Sequence, residues 1–131
     1  MRASGELALD AGVRHSVVAQ IAKSPEVPDG AEERLLDEAL RFLALSAELS
    51  ARGEDSRLVP SVRVDAAWHA FILHTRAYAE LCERAFGEYV HHDPSPPDAP
   101  VELGNVVDYL RTRVLMEERY GALDEELWPL P

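Results

Sequence analysis

Residues 64–94 read VDAAWHAFILHTRAYAELCERAFGEYVHHDP, and this stretch contains four of the five histidines and the single cysteine of the chain. Apolar residues recur in it at helical spacing and predict a long amphipathic helix that opens near Ser61 to Asp65. Gly87 is a natural left-handed C-cap for that helix. The stretch therefore predicts one long third helix followed by a connection that carries histidines.

The predicted core face of this helix follows from a rotation of about 100° per residue. It consists of Val64, Trp68, Phe71, Ile72, Ala79, Cys82 and Phe86, with Tyr78 at its margin. On an unbroken helix His69 and His74 flank opposite edges of that face, roughly 140° apart. Both imidazoles therefore cannot bind one ion while the helix stays intact.

The rest of the chain predicts three more helices. The first spans about 12–23 and the second, a central one, about 31–51. Asn105 resembles the N-cap of a fourth helix that ends at Gly121. The apolar stripe of that helix would consist of Val106, Val107, Leu110 and Val114. The closing residues 122–131 predict one short turn anchored by Trp128.

Between the third and fourth helices lies HHDPSPPDAP, which contains four prolines. Prolines at this density exclude helix and central strand, so residues 94–100 are predicted to form a proline-rich surface loop. We find no internal repeat and no strand pair with a hairpin turn. These elements predict an all-α fold, a small irregular bundle of about four helices in a single domain of residues 1–131.

The composition limits the expected partners. The chain carries 24 Asp and Glu against 13 Lys and Arg, and its formal net charge is −11. Such a field repels nucleic acid phosphates and anionic lipid head groups, whereas a cation or a basic protein is electrostatically easier to bind. No stretch approaches the ~18 apolar residues of a membrane helix, so we expect a cytoplasmic protein. Its protein or small-molecule partner is unknown from the sequence.

Asp65 and His69 form the first candidate group, because residues four apart share a helix face. A carboxylate beside an imidazole can be two ligands of one metal ion, or an acid that orients a histidine acting as ligand or general base. Alternatively, Asp65 stabilises the first turn through the helix dipole and only hydrogen-bonds to His69.

His91, His92 and Asp93 form the second candidate group. Two imidazoles and a carboxylate can be part of a zinc or iron site. Because adjacent side chains of an extended segment point opposite ways, we expect one imidazole to face inward and to bond to the helix. Cys82, on the core face, is more typical of a small buried hydrophobe than of a reactive thiolate.

Three functions are compatible with these candidates. The first is a transition-metal site for zinc, iron or copper, of unknown reaction. Its ligands would be a subset of Asp65, His69, His74, Cys82, His91 and His92. The second is a metal-free protein-interaction module whose histidines form a structural polar network. The third is a metal-free enzyme that uses Asp65 and His69 as acid and base.

The spacing D..WH...L....Y...C resembles that of the glycine-rich domain-containing protein-like family, a domain of unknown function in plant, fungal and bacterial proteins. The match consists of Val64, Asp65, Trp68, His69, Leu73, His74, Tyr78, Cys82, Gly87, His92 and Asp93, with Tyr109, Thr112, Tyr120, Gly121, Trp128 and Pro129 in the closing segment. It covers roughly residues 35–129 and suggests a stand-alone bacterial member without the glycine-rich tail. Phe71 stands where many members carry a further histidine. The resemblance implies a helical fold and a motif centred on Asp65, Trp68 and His69, but no reaction.

Overall fold

The structure, a computed structural model, describes residues 7–92 and 103–131. These residues contain five α-helices and no β-strand. The helices are α1 (Ala11–Ile21), α2 (Glu32–Ala51), α3 (Val62–Ile72), α4 (Thr75–Phe86) and α5 (Leu103–Tyr120). The predicted all-α class is confirmed, and the fold is a small helical bundle. The predicted loop 94–100 and Asp93 lie outside the described residues.

α2 is the central helix, and α1, α3 and α4 all pack against it. Its inner stripe is buried, and the fully inaccessible members are Leu35, Leu36, Ala39 and Leu43. Asp10 is the N-cap of α1, and its carboxylate accepts the backbone N–H of Gly12 at 3.1 Å. α1 then buries Val17 and Ile21 in the shared core. Removal of this apolar surface from water is the main stabilising contribution to the bundle.

The prediction of one long third helix is wrong, because the helix is broken in two between Ile72 and Thr75. His74 has φ −88° and ψ 69°, outside the helical region, and its backbone N–H bonds to the carbonyl of Phe71. The carbonyl of Ala70 therefore loses its helical partner. Nδ1 of the His74 ring lies 3.0 Å from that carbonyl oxygen and donates to it. The side chain thus replaces the backbone hydrogen bond that the break removes.

The break changes which side chains of α4 face the core. Tyr78, predicted at the margin, is fully buried, whereas Ala79, predicted to face the core, is exposed. The other buried residues of α4 are Leu81, Cys82 and Ala85. Gly87 follows the last residue of α4 and adopts φ 75° as the predicted left-handed C-cap.

α5 begins earlier than predicted, at Leu103, so the assignment of Asn105 as its N-cap is wrong. Its end is as predicted, because Gly121 follows it with φ 89°. No helix in the described part of the chain is long and apolar enough to cross a membrane.

The inner face of α5 is also not the predicted one. Three members of the expected stripe are exposed to 56, 39 and 54%, namely Val107, Leu110 and Val114. The face that packs inward carries Thr112 and Met116, both fully buried. Thr112 Oγ1 accepts the backbone N–H of Val59 at 2.9 Å. Because the polar side chain of Thr112 makes one of these inward contacts, hydrophobicity alone identified the wrong face.

The closing turn is anchored by Trp128, as predicted. Its side chain is fully buried, and Nε1 donates to Oε1 of Glu38 on α2 at 2.9 Å. The neighbouring carbonyl of Leu127 accepts the hydroxyl of Ser61, which also caps the start of α3. The tail therefore fixes the position of the N-terminus of α3 relative to α2.

Candidate functional site

The two candidate groups of the sequence are brought together by a chain reversal after α4. Beyond Gly87, the chain returns along α4, and the carbonyl of Val90 accepts the Tyr78 hydroxyl at 2.5 Å. Two residues later, His92 reaches Asp65 of α3, 27 positions earlier in the chain. The fold-back that joins the groups therefore occurs before the proline-rich segment.

His92 is the inward-facing histidine of this segment. Its Nε2 donates to Oδ1 of Asp65 at 2.7 Å, and its side chain is only 11% exposed. The Trp68 ring packs against it at a centroid distance of 4.4 Å. His91 is exposed, and its ring lies 4.7 Å from that of Tyr89. The prediction of one inward imidazole bonded to the helix is confirmed.

Tyr78 connects three parts of the site. Its hydroxyl accepts Nε1–H of Trp68 at 2.9 Å and donates to Val90. Burial raises the pKa of Tyr78 above its ordinary range. The sequence did not indicate a role for this hydroxyl, because ten residues of unbroken helix would separate Trp68 from Tyr78 by about 15 Å along the axis. Their contact depends on the break before α4.

Cys82 is fully buried beside this hydroxyl. Burial raises the pKa of its thiol, and a hydrogen bond with the Val90 backbone partly opposes that rise. A buried thiol with a raised pKa is neither a ready nucleophile nor a ready metal ligand. This agrees with the interpretation of Cys82 as a small hydrophobe.

His74 lies at a different place, between α1 and the break. Its Nε2 is 2.9 Å from Oγ of Ser16, while Nδ1 bonds to the carbonyl of Ala70. Because a carbonyl can only accept, Nδ1 carries a hydrogen, and Nε2 forms the hydrogen bond with the Ser16 hydroxyl. His74 therefore couples α1 to the α3–α4 junction and does not join the Asp65–His92 pair.

His69 is exposed and lies beside the pair without bonding to it. Its ring centroid is 6.4 Å from that of His92, whereas two imidazoles on one tetrahedral zinc ion would lie about 5 Å apart. Across residues 7–92 and 103–131, no group of three or more His, Cys, Asp or Glu side chains could hold a metal ion. The metal hypothesis gains no support there. The proposed bond from Asp65 to His69 is replaced by one to His92.

A cleft of about 690 Å³ opens beside the Asp65–His92 pair, between α2, the start of α3 and residues 88–92. We call it the Asp65 cleft, and its relevant side chains are Phe42, Asp65, Trp68, Glu88, Tyr89 and His92. A smaller hollow of about 380 Å³ adjoins both Asp65 and His69. The larger cleft is the one onto which the hydrogen-bonded pair opens.

No curated protein and no solved structure matches the chain. The model of a family described as UCP032817-like matches residues 12–98, more than half of the chain. The matched region contains the helix break and the Asp65–His92 pair. The protein therefore belongs to the UCP032817-like family.

Proposed function

We propose that the protein is a metal-free interaction module whose histidines form a structural polar network. The observation that supports this proposal most directly is the 2.7 Å hydrogen bond between Nε2 of His92 and Oδ1 of Asp65. A hydrogen lies between these two atoms, in the position that an ion shared by them would need. Each group therefore has its polar partner without a metal.

The network serves to hold residues 88–92 against α3 and α4. A continuous chain of hydrogen bonds runs from Trp68 through the Tyr78 hydroxyl to the carbonyl of Val90 within this segment. Loss of a partner from a buried hydrogen bond costs about 1–3 kcal/mol, so each link makes displacement of the segment less favourable. The segment forms one wall of the Asp65 cleft, and the network therefore gives the cleft its shape.

The surface also supports an interaction role. The exposed stripe of Val107, Leu110 and Val114 on α5 is the kind of apolar patch expected of a binding protein. Glu117 and Glu118 follow this stripe and are exposed. With the net charge of −11, these features favour a partner that carries positive charge.

The transition-metal hypothesis, with zinc, iron or copper, remains a prediction. One observation favours it, namely that His69 and His92 both lie beside Asp65, but their ring separation of 6.4 Å exceeds the value of about 5 Å for two imidazoles on one zinc ion. Metal binding would require the rings to approach and the bond between Asp65 and His92 to break. The resemblance to the glycine-rich domain-containing protein-like family and a cytoplasmic location likewise remain predictions.

An NMR titration of tag-free, ¹⁵N-labelled protein tests the proposal. We expect the amide signals of α3 and of residues 88–92 to stay in place when one equivalent of Zn²⁺, Cu²⁺ or anaerobic Fe²⁺ is added. The exposed His91 can bind metal weakly, so His91→Ala is the matched control for surface effects. Stoichiometric shifts at Asp65 and His92 that persist in His91→Ala would overturn the proposal.

A further inference from the structure

We infer that the Asp65 cleft binds a small organic cation, an ammonium group attached to an apolar body. The inference rests on the proposed function, because a metal ion held by Asp65 and His92 would occupy the carboxylate that the ligand needs. It adds a chemical class of ligand and the place where that ligand binds.

The dimensions and the floor of the cleft suit such a ligand. Its volume of about 690 Å³ falls within the range of roughly 300–1,000 Å³ found for small-molecule sites. Its accessible apolar floor consists of Leu58, Val59 and Pro60, which are half-buried, and Val62, which is 70% exposed. Phe42 and Trp68 also line the cleft but are only 2 and 8% exposed, so they offer little surface to a ligand. The accessible apolar side chains can receive the apolar body of the ligand.

The charged groups of the cleft favour a cation. The Asp65 side chain is 45% exposed, and its described ionic partner is the imidazole of His92. Glu88 is exposed at the same wall. Arg57, the one arginine or lysine among the described lining residues, contacts both carboxylate oxygens of Asp55 at 3.0 and 3.1 Å. Its charge is therefore already paired with Asp55, and the carboxylates of Asp65 and Glu88 leave the cleft acidic.

An exposed aromatic ring adds a second attraction for positive charge. Tyr89 is 43% exposed at the wall of the cleft. Its ring packs nearly at right angles to that of Tyr78, with centroids 5.2 Å apart, and its centroid lies 4.7 Å from that of His91. The negative face of an aromatic ring attracts a cation and disfavours an anion. Charge and ring thus select the same kind of ligand.

A pair of probes that differ in charge tests this selection. The cation is 2-phenylethylammonium, and 3-phenylpropionate is an anion of similar size with the same ring. Calorimetric titration of protein shown to be metal-free should give saturable 1:1 binding of the ammonium and none of the propionate at equal concentration. Nα-acetyl-lysine methylamide distinguishes two sources of the same chemistry, since tighter binding of this probe would assign the cleft to a lysine of a partner protein.

Variants then locate the binding. We expect Asp65→Asn to weaken ammonium binding about tenfold, because a charge-assisted contact is lost, and Tyr89→Ala to weaken it severalfold. Glu80→Gln, on an exposed position of α4, should change it less than twofold. If Asp65→Asn fails to fold by circular dichroism, Glu88→Gln provides the charge test.

The failures are distinguishable. Equal binding of the two probes by metal-free protein, no binding of either, or unchanged binding by folded Asp65→Asn or Glu88→Gln would overturn the cation inference and leave the proposed function intact. A stoichiometric metal in the starting protein would overturn the proposed function itself.

Discussion

His91 and His92 are adjacent in the sequence and have opposite surroundings. His92 bonds to Asp65 and packs against Trp68, whereas His91 is exposed. We expect His92→Ala to lower the free energy of unfolding by about 1–3 kcal/mol, because a buried partner is lost. His91→Ala should change it by no more than about 0.5 kcal/mol. Urea unfolding of the two variants measures the difference, and equal losses would contradict the assignment of the inward ring.

Because the Tyr78 hydroxyl is buried, we expect the fold to become less stable at alkaline pH. Burial raises its pKa above the ordinary value of about 10, so the native state keeps a proton that the unfolded chain releases. The native state then binds more protons, and the free energy of unfolding falls as pH rises. This contribution is fully present below about pH 10 and is lost above it.

Tyr78→Phe separates this effect from the loss of hydrogen bonds. At pH 8 the variant should be less stable by about 1–3 kcal/mol, since Nε1 of Trp68 and the carbonyl of Val90 lose their partner. Between pH 9.5 and 11 its stability should fall less steeply than that of the wild type. Burial also raises the pKa values of Tyr109 and Tyr120, so some slope remains. Parallel urea midpoints for both proteins across this range would contradict the account.

At the scale of helices, one side chain links the break between α3 and α4 to α1. His74 bonds to Ser16 of α1 and to the carbonyl of Ala70. A double-mutant cycle with Ser16→Ala and His74→Ala should give a coupling energy of about 0.5–1.5 kcal/mol, the usual net value of one hydrogen bond. Additive effects in urea unfolding would show that α1 and the junction are not coupled through this contact.

The orientation of α5 predicts contrasting effects of two substitutions on the same helix. Val114→Ser alters an exposed position, so we expect a change within about 0.5 kcal/mol. Met116→Ala removes a fully buried side chain and should cost about 2–5 kcal/mol. Thermal and urea unfolding check both values. A larger loss in Val114→Ser would mean that the apolar stripe faces the core after all.

The parts of the fold that depend on local periodicity were predictable from the sequence. α1 and α2 lie within about two residues of their predicted ends, since each carries a regular apolar pattern. The break at His74 was not predictable, because no proline or glycine marks it. At the break an imidazole, and not a backbone N–H, bonds to the carbonyl of Ala70. The inner face of α5 was missed because Thr112 contacts the 52–61 connection through a hydroxyl.

The site was also predictable only where local patterns determine it. An inward imidazole follows from the alternation of side chains in an extended segment. The partner of Asp65 does not follow from spacing, because His92 reaches it only through the reversal at Gly87. Residues four apart suggested His69, and a contact over 27 positions took its place.

At the scale of the whole molecule, the core around α2 supports the site, and the surface charges contribute little to stability. Exposed ion pairs such as Arg34 with Asp124 connect the tail to α2, but such pairs typically contribute about 0–1 kcal/mol. Their main effect is on partners, because the unbalanced acidic charge of the chain attracts cations. The Asp65 cleft lies where α2, α3 and residues 88–92 meet, so a ligand there would contact three parts of the fold.

Elemental analysis of folded, tag-free protein tests the central claim most directly. It compares the wild type with His69→Ala and with the double variant His91→Ala/His92→Ala. The account predicts no near-stoichiometric zinc, iron or copper in any of the three proteins and no uptake on titration. Close to one equivalent of metal in the wild type, lost in both variants, would show that α3 and the returning segment hold an ion together and would contradict the account.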